Sequence, residues 1–95
     1  MKKISYTDHL GLRLKIRKLP YDYPKIIYEN PEQRFYDIAE GNFIAIKKLR
    51  YNKKIRSIMI AYEEKNGTIE IITIHPIKEE MITNRISRGR WVKHE

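Results

Sequence analysis

The chain has 95 residues, and Lys and Arg outnumber Asp and Glu by 20 to 12, which gives a formal net charge of +8 at pH 7. This length buries one modest hydrophobic core, so a single domain over residues 1–95 is expected. The lack of cysteine excludes disulfides and Cys-based zinc sites, and no apolar run reaches signal-peptide or membrane-spanning length. We therefore expect a cytoplasmic protein with no membrane partner. The positive charge favours RNA as a partner. In the alternative, the Lys-rich surface only keeps a small protein soluble.

Two helices are predicted in the first third of the chain. Apolar residues recur at helical spacing over residues 5–19, with Ser5 or Thr7 as the cap, and the helix is expected to end before Pro20. A second, short helix is predicted over residues 24–29, because proline suits the first turn of a helix.

Strands are predicted to follow, over residues 35–38, 42–50, 55–63 and 68–75. Asn66-Gly67 is a strong signal for a type I′ hairpin turn, because that turn needs positive φ at both central residues, and Asn52-Lys53 is a weaker signal. Pro76 ends the last strand. The expected fold class is therefore α+β, with the N-terminal helices packed on a three- to four-stranded antiparallel sheet.

The C-terminal part is predicted to form a short helix over residues 79–86 and a basic tail over residues 87–95, outside an ordered core of about residues 5–86. Guanidinium groups are combined there with one aromatic ring, which is the composition used for phosphate contact and base stacking. These candidate RNA-contacting residues are Arg85, Arg88, Arg90 and Trp91. In the alternative, Trp91 packs back onto the core.

Counting outward from the two turns places a polar cluster on one face of the sheet. From the second turn, the predicted pairs are Tyr62 with Ile71, Ile60 with Thr73 and Ile58 with His75. From the first turn, they are Phe43 with Tyr62, Ala45 with Ile60, Lys47 with Ile58 and Leu49 with Arg56. The residues predicted to share one face are Lys47, Arg56, Thr73 and His75. A slip of one residue would send half of them to the opposite face.

This cluster has the groups needed to cleave RNA through its own 2′-hydroxyl, namely a base, an acid for the leaving oxygen and positive charge on the phosphorane. His75 is the candidate acid or base, and Arg56 and Lys47 would hold the phosphate. Thr73 or Tyr62 would donate a hydrogen bond to a nonbridging oxygen. The structural alternatives are that His75 only caps the strand end and that Thr73 is an ordinary strand former.

The first helix carries a second group, since His9, Arg13 and Arg17 recur at intervals of four and lie on one face. Repulsion between these like charges suggests a bound anion or an acidic partner, and a solvated surface fits equally well. The histidines at 9, 75 and 94 lack metal-ligand spacing, and the glycines form no phosphate loop. No metal and no cofactor are therefore expected.

The order of helix, short helix and antiparallel sheet, ending on Thr-Ile-His-Pro-Ile-Lys-Glu-Glu-Met at residues 73–81, resembles the layout of RelE-type ribonuclease toxins over about residues 8–86. In that family, an Arg on a central strand and a His near the last strand contribute to RNA cleavage. By position, the resemblance implies these roles for Arg56 and His75. Glu63 or Glu64 would be the acidic residue of the site.

The chain is also similar to an uncharacterised prokaryotic domain family related to those toxins. The segments that carry this similarity are Asp8-His9-Leu10 with Arg13 and Arg17, Tyr28-Glu29-Asn30-Pro31, and Ile72-Thr73-Ile74-His75-Pro76. In the wider superfold of barnase, EndoU, colicins and RelE, some members carry an active-site His on an N-terminal helix. The resemblance therefore makes His9 an alternative to His75, or its partner. Pro76 stands where the toxins often have Arg, and no Tyr follows in the terminal helix, which weakens the expectation of a ribosome as partner.

Together, the residues and the resemblance predict a toxin-type, metal-independent endoribonuclease, with His75 or His9 in proton transfer and Arg56, Arg13 and Lys47 on the phosphate. One alternative is a noncatalytic nucleic-acid-binding module. Another is a protein-interaction domain whose basic surface meets an acidic, antitoxin-like partner. The edge strands of the sheet present unpaired backbone groups to a second copy of the chain, so the sequence is also compatible with a homodimer.

Overall fold

The computed structural model of the chain describes residues 2–94, which form three helices and six strands. In chain order the elements are β1 (Lys3–Tyr6), α1 (Asp8–Arg17), α2 (Tyr23–Glu29), β2 (Gln33–Asp37), β3 (Asn42–Tyr51), β4 (Lys54–Lys65), β5 (Thr68–Pro76), α3 (Glu79–Ser87) and β6 (Trp91–Lys93). The α+β class is confirmed. Within the described residues, no helix has the length and apolar character needed to cross a membrane.

The strands form one mixed sheet in the order β1-β5-β4-β3-β2-β6. Neighbouring strands are antiparallel except β1 and β5, which run parallel. The prediction of three to four antiparallel strands was wrong at both edges of the sheet. β1 lies where the first helix was expected to begin, and β6 lies in the expected basic tail. Both strands are too short to show a periodicity of their own, so their strand conformation is determined by the strands with which they pair.

Both hairpin turns have the expected backbone conformation. The φ angles are 52° and 65° at Asn52 and Lys53, and 50° and 78° at Asn66 and Gly67. Positive φ at both central residues matches the twist of the flanking strands and joins β3 to β4 and β4 to β5 without a longer loop.

A hydrophobic core lies on each face of the sheet. On one face, α1 and α2 bury Leu10, Leu14 and Ile27 against Ile58 and Ile60 of β4. On the other face, Ile82 of α3 packs with strand residues of the second core. These strand residues are Phe35, Ile44, Ile46, Met59, Ala61 and Trp91. Alternate residues of the central strands therefore belong to different cores, as the period of two requires.

Asp37 joins β6 to the rest of the sheet. Its side chain is only 2% exposed and accepts hydrogen bonds from Arg90 at 3.1 and 3.3 Å and from the Trp91 indole N–H at 3.0 Å. The backbone N–H groups of Ala39 and Glu40 also donate to it. Burial alone would raise the pKa of Asp37, but the hydrogen bonds from Arg90, Glu40 and Trp91 outweigh it and lower the pKa below the usual value.

Replacement of Asp37 by Asn is expected to reduce the free energy of unfolding by about 2–4 kcal/mol at neutral pH, because Arg90 and Trp91 lose a charged acceptor. The lowered pKa means that the ionised carboxylate stabilises the fold above the usual pKa of Asp, and that this stabilisation is lost as the pH falls through the folded-state pKa. The difference between the two proteins should therefore shrink below about pH 4 in denaturant titrations.

Glu40 provides the matched control, because its exposed carboxylate lies 3.9 Å from the Arg90 Nη2 atom. Glu40→Gln should change the free energy of unfolding by less than about 1 kcal/mol. Equal losses for the two variants would contradict the role assigned to Asp37.

Candidate functional site

A cleft of about 970 Å³ lies on the face of the sheet that packs against α3. Its walls include strand residues of the second core and the exposed side of α3. Seven residues predicted from the sequence as site residues line it, namely His9, Thr73, His75, Arg85, Arg88, Arg90 and Trp91. The structure thus brings together candidates that the sequence analysis placed in three separate groups.

A bulge in β5 determines which side chains reach this cleft. Tyr62 pairs with Ile71 as predicted, but Thr73 pairs with Ala61 and His75 with Met59, because the register shifts by one residue at Ile72. The predicted pairs of Ile60 with Thr73 and of Ile58 with His75 were therefore wrong. All four pairs predicted between β3 and β4 are confirmed. Thr73 and His75 consequently lie on the α3 face, beside the second core.

The shift separates Lys47 and Arg56 from Thr73 and His75. Lys47 pairs with Ile58, and Arg56 pairs with Leu49, whose side chain packs against the core under α1 and α2. Neither cation lines the cleft. The predicted cluster of four residues on one face is therefore wrong, and the reason is the single extra residue in β5.

Thr7 connects α1 to the bulge. Its hydroxyl accepts a hydrogen bond from the Leu10 N–H at 3.1 Å, which caps α1, and donates one to the Ile72 carbonyl at 3.1 Å. Its own N–H donates to the Ile71 carbonyl at 3.1 Å. The first turn of α1 is thereby held at the bulge, and His9 reaches the same cleft as His75.

The hydrogen bonds of the two histidines specify the Nδ1–H tautomer in both rings but leave different ring atoms free. His75 Nδ1 lies 2.9 Å from the Pro76 carbonyl oxygen, which can only accept, so Nδ1 carries the proton and Nε2 has a free lone pair. Arg13 Nε donates to His9 Nε2 at 3.3 Å, so Nε2 of His9 is the acceptor and its Nδ1 carries the proton. One ring therefore offers an acceptor atom to a ligand and the other offers a donor.

Arg85 and Arg88 supply positive charge to the cleft from the end of α3. Within residues 2–94, neither guanidinium forms an ion pair with a carboxylate. Of the two acids in the first turn of the helix, Glu79 accepts a hydrogen bond from the Ser57 hydroxyl at 3.1 Å, whereas Glu80 lines the cleft. The two arginines are thus available to an anion.

The side chains of Arg90 and Trp91 form contacts within the protein. Trp91 is 3% exposed, and its ring stacks on Phe35 with 5.5 Å between centroids. The alternative that Trp91 packs back onto the core is therefore confirmed, and the prediction that it stacks on a base was wrong. Two nitrogens of Arg90 bind Asp37, so this arginine is not a free phosphate ligand.

The remaining candidates lie outside the cleft walls. Arg13 is half-buried and contacts the cleft only through its hydrogen bond to His9. Arg17 is half-buried at the end of α1, and its Nε atom has no hydrogen-bond partner among the described residues. Tyr62, Glu63 and Glu64 also do not line the cleft.

Sequence reasoning missed two residues that shape the site. Asp37 was not identified, although a single acid within the apolar run Phe35-Tyr36-Asp37-Ile38 is a signal for a buried, paired carboxylate. Lys78 also lines the cleft, and its position three residues after His75 could have suggested this.

Thr7→Val should reduce the free energy of unfolding by about 2–3 kcal/mol, because the variant loses the cap and leaves the Ile72 carbonyl without its donor. Thr7→Ser retains the hydroxyl and should cost less than about 1 kcal/mol. Chemical denaturation measures both values, and amide hydrogen exchange should show loss of protection at Leu10 in the Val variant alone. Equal stability of the two variants would exclude the connecting role of Thr7.

The cleft combines two imidazoles, two unpaired guanidiniums and the Thr73 hydroxyl, a set suited to binding an anion and moving a proton beside it. Within residues 2–94, no group of three or more His, Asp or Glu side chains is arranged to hold a metal ion. Comparisons of the chain with protein-family models, with curated proteins and with solved structures give no match.

Proposed function

We propose that this protein is a metal-independent endoribonuclease of toxin type that cleaves single-stranded RNA by attack of a 2′-hydroxyl in the cleft. The observation that carries the proposal is that His9 and His75, far apart in the sequence, line one cleft together with Arg85 and Arg88. A free acceptor atom on one imidazole, a free donor atom on the other, and cations without an ion pair among the described residues are the groups that this reaction requires.

His75 is the proposed general base. Its Nδ1–H is held by the Pro76 carbonyl, so Nε2 is the atom that accepts the 2′-hydroxyl proton. A backbone carbonyl is a fixed acceptor, which keeps the ring in one tautomer and one orientation without a neighbouring carboxylate. The 2′-oxygen then forms a bond to phosphorus.

His9 is the proposed general acid. Protonation of the leaving 5′-oxygen by this residue requires the imidazolium form, in which both ring nitrogens carry hydrogen. Arg13 must then release His9 Nε2, and the phosphate of the substrate is a stronger acceptor to which Arg13 can turn. The bond from phosphorus to the 5′-oxygen breaks as His9 delivers its proton, and the products are a 2′,3′-cyclic phosphate and a 5′-hydroxyl.

Arg85 and Arg88 are the proposed phosphate ligands, in place of Lys47 and Arg56. A guanidinium binds two phosphate oxygens at once, and its charge opposes the charge that develops on the phosphorane. Thr73, which pairs with Ala61 and lines the cleft, would donate a hydrogen bond to a nonbridging oxygen.

The test is incubation of the purified protein with labelled single-stranded RNA in EDTA, beside His75→Ala, His9→Ala and His94→Ala. Each of the two cleft variants should lose roughly 100- to 10,000-fold in cleavage rate, because proton transfer to or from a positioned side chain contributes that much. His94 lies outside the cleft and is exposed, so His94→Ala should cleave as the parent protein does. Circular dichroism verifies that all variants are folded.

Three outcomes separate the proposal from its alternatives. Loss of cleavage in the cleft variants alone supports the nuclease. Retention of RNA without cleavage by the parent protein would indicate a noncatalytic nucleic-acid-binding module. Neither cleavage nor retention would favour a protein-interaction domain with an acidic partner.

A further inference from the structure

The end of the β3–β4 hairpin carries the densest positive charge in the chain. The segment from residue 47 to residue 56, here called the basic arm, has six cations and no carboxylate. The cations are Lys47, Lys48, Arg50, Lys53, Lys54 and Arg56. All except Lys47 are exposed, and within the described residues none forms an ion pair. These like charges repel one another, and the repulsion lowers the stability of the folded chain. A bound polyanion would relieve this repulsion.

The basic arm is held in a defined conformation. Its turn has the type I′ geometry at Asn52 and Lys53, and the Tyr23 hydroxyl donates a hydrogen bond to the Arg50 carbonyl at 2.8 Å. Leu49 and Tyr51 pack against the core under α1 and α2. The backbone that carries the cations is therefore held in one conformation before any ligand binds, which lowers the entropic cost of binding.

A shallow groove of about 430 Å³ joins the basic arm to the cleft. Lys48 and Arg56 line this groove, and Pro76, Ile77 and Lys78 line both the groove and the cleft. Glu79 is the one carboxylate among the groove residues, and the Ser57 hydroxyl donates a hydrogen bond to it. A chain of cations thus leads from the cleft past Lys78 to the arm.

We infer that the basic arm is an extended substrate subsite that binds phosphates of the single-stranded RNA lying beyond the cleft on the Lys78 side. The inference rests on the proposed function, because it uses the cleft as the place where the same strand is cut. Lys48 and Arg50 lie on the cleft face of β3, and strand geometry separates them by about 7 Å. This separation is comparable to that of successive phosphates in an extended strand. Ile55, 62% exposed opposite Arg50, offers an apolar contact to a base or sugar.

The test compares Lys48→Gln/Arg50→Gln with the control Lys15→Gln/Lys25→Gln, which removes two exposed cations of α1 and α2 that form no ion pair within residues 2–94. The probe is a fully 2′-O-methylated RNA of about 12 nucleotides, long enough for several phosphate contacts, and its affinity is measured as a function of salt concentration. This RNA has no 2′-hydroxyl, so its binding is measured without cleavage. Hydrolysis of a dinucleotide, which reaches only the cleft, is measured in parallel.

The arm variant is expected to weaken binding of the long RNA about tenfold near physiological salt and to reduce the slope of log affinity against log salt by roughly 1.4, since each phosphate contact contributes about 0.7. Dinucleotide cleavage should be unchanged in this variant, and the control variant should keep the parent slope. Equal losses in both variants would show only diffuse charge and overturn the inference, as would an unchanged slope in the arm variant.

Failure of the proposed function is distinguishable from failure of the subsite. A parent protein that cleaves neither RNA nor dinucleotide would refute the nuclease, while the slope comparison would still decide whether the arm binds phosphates. If the arm variant loses affinity for a polyglutamate peptide but keeps its affinity for RNA, the arm is an acidic-protein surface and the inference is wrong.

Discussion

The one-residue bulge at Ile72 is the constraint on which the arrangement of this site depends. Before it, β5 keeps the regular register with β4, and Ile69 and Ile71 enter the core under α1. After it, Ile74 continues that core while Thr73 and His75 turn to the opposite face. A regular strand would have to give up either the packing of Ile74 or the exposure of His75 to the cleft. The extra residue allows both, which is a common use of bulges near functional sites.

The hydrogen bonds of Thr7 extend this effect to the N-terminal helix. A carbonyl at a bulge has lost its ladder partner, and an unsatisfied backbone group at a partly buried position is costly. The Thr7 hydroxyl satisfies the Ile72 carbonyl and also caps α1. Because one side chain serves both elements, the positions of His9 and His75 are coupled through backbone groups rather than through contact between the two rings.

The arginines of the chain divide into those bound by other side chains and those without such a partner among the described residues. Hydrogen bonds rather than burial decide this division, since Arg85 is half-buried like Arg34 and Arg90. Arg90 is held by Asp37, and Arg34 donates to the Tyr62 hydroxyl at 2.8 Å with its guanidinium 4.7 Å from the centroid of the Tyr28 ring. Both arginines stabilise packing. Arg85 and Arg88 have no such partner among the described residues. Composition reports only the net charge of +8, whereas the fold determines which cations are engaged by other side chains.

The elements that have local sequence signals were predicted correctly. The predictions failed for the strand register and the edge strands, which depend on tertiary contacts. Asn66-Gly67 and Asn52-Lys53 specify their own turns, and every pair counted from the Asn52-Lys53 turn is confirmed. The register counted from Asn66-Gly67 holds only as far as Ile71, because nothing in the run Ile71-Ile72-Thr73-Ile74 marks which residue is the extra one. β1 and β6 gain their stability from strands that are distant in sequence, so local periodicity could not identify them.

Pro76 contributes to the cleft through its backbone rather than through a charged side chain. Its carbonyl accepts the hydrogen bond from His75 Nδ1–H, and its ring carries no charge. The positive charge of the cleft comes from Lys78 and from the end of α3, which begins three residues after Pro76 and brings Arg85 and Arg88 to the same cavity. The imidazole of His75 and the guanidiniums of the cleft thus come from separate elements, β5 and the end of α3, and the short connection between these elements brings them together.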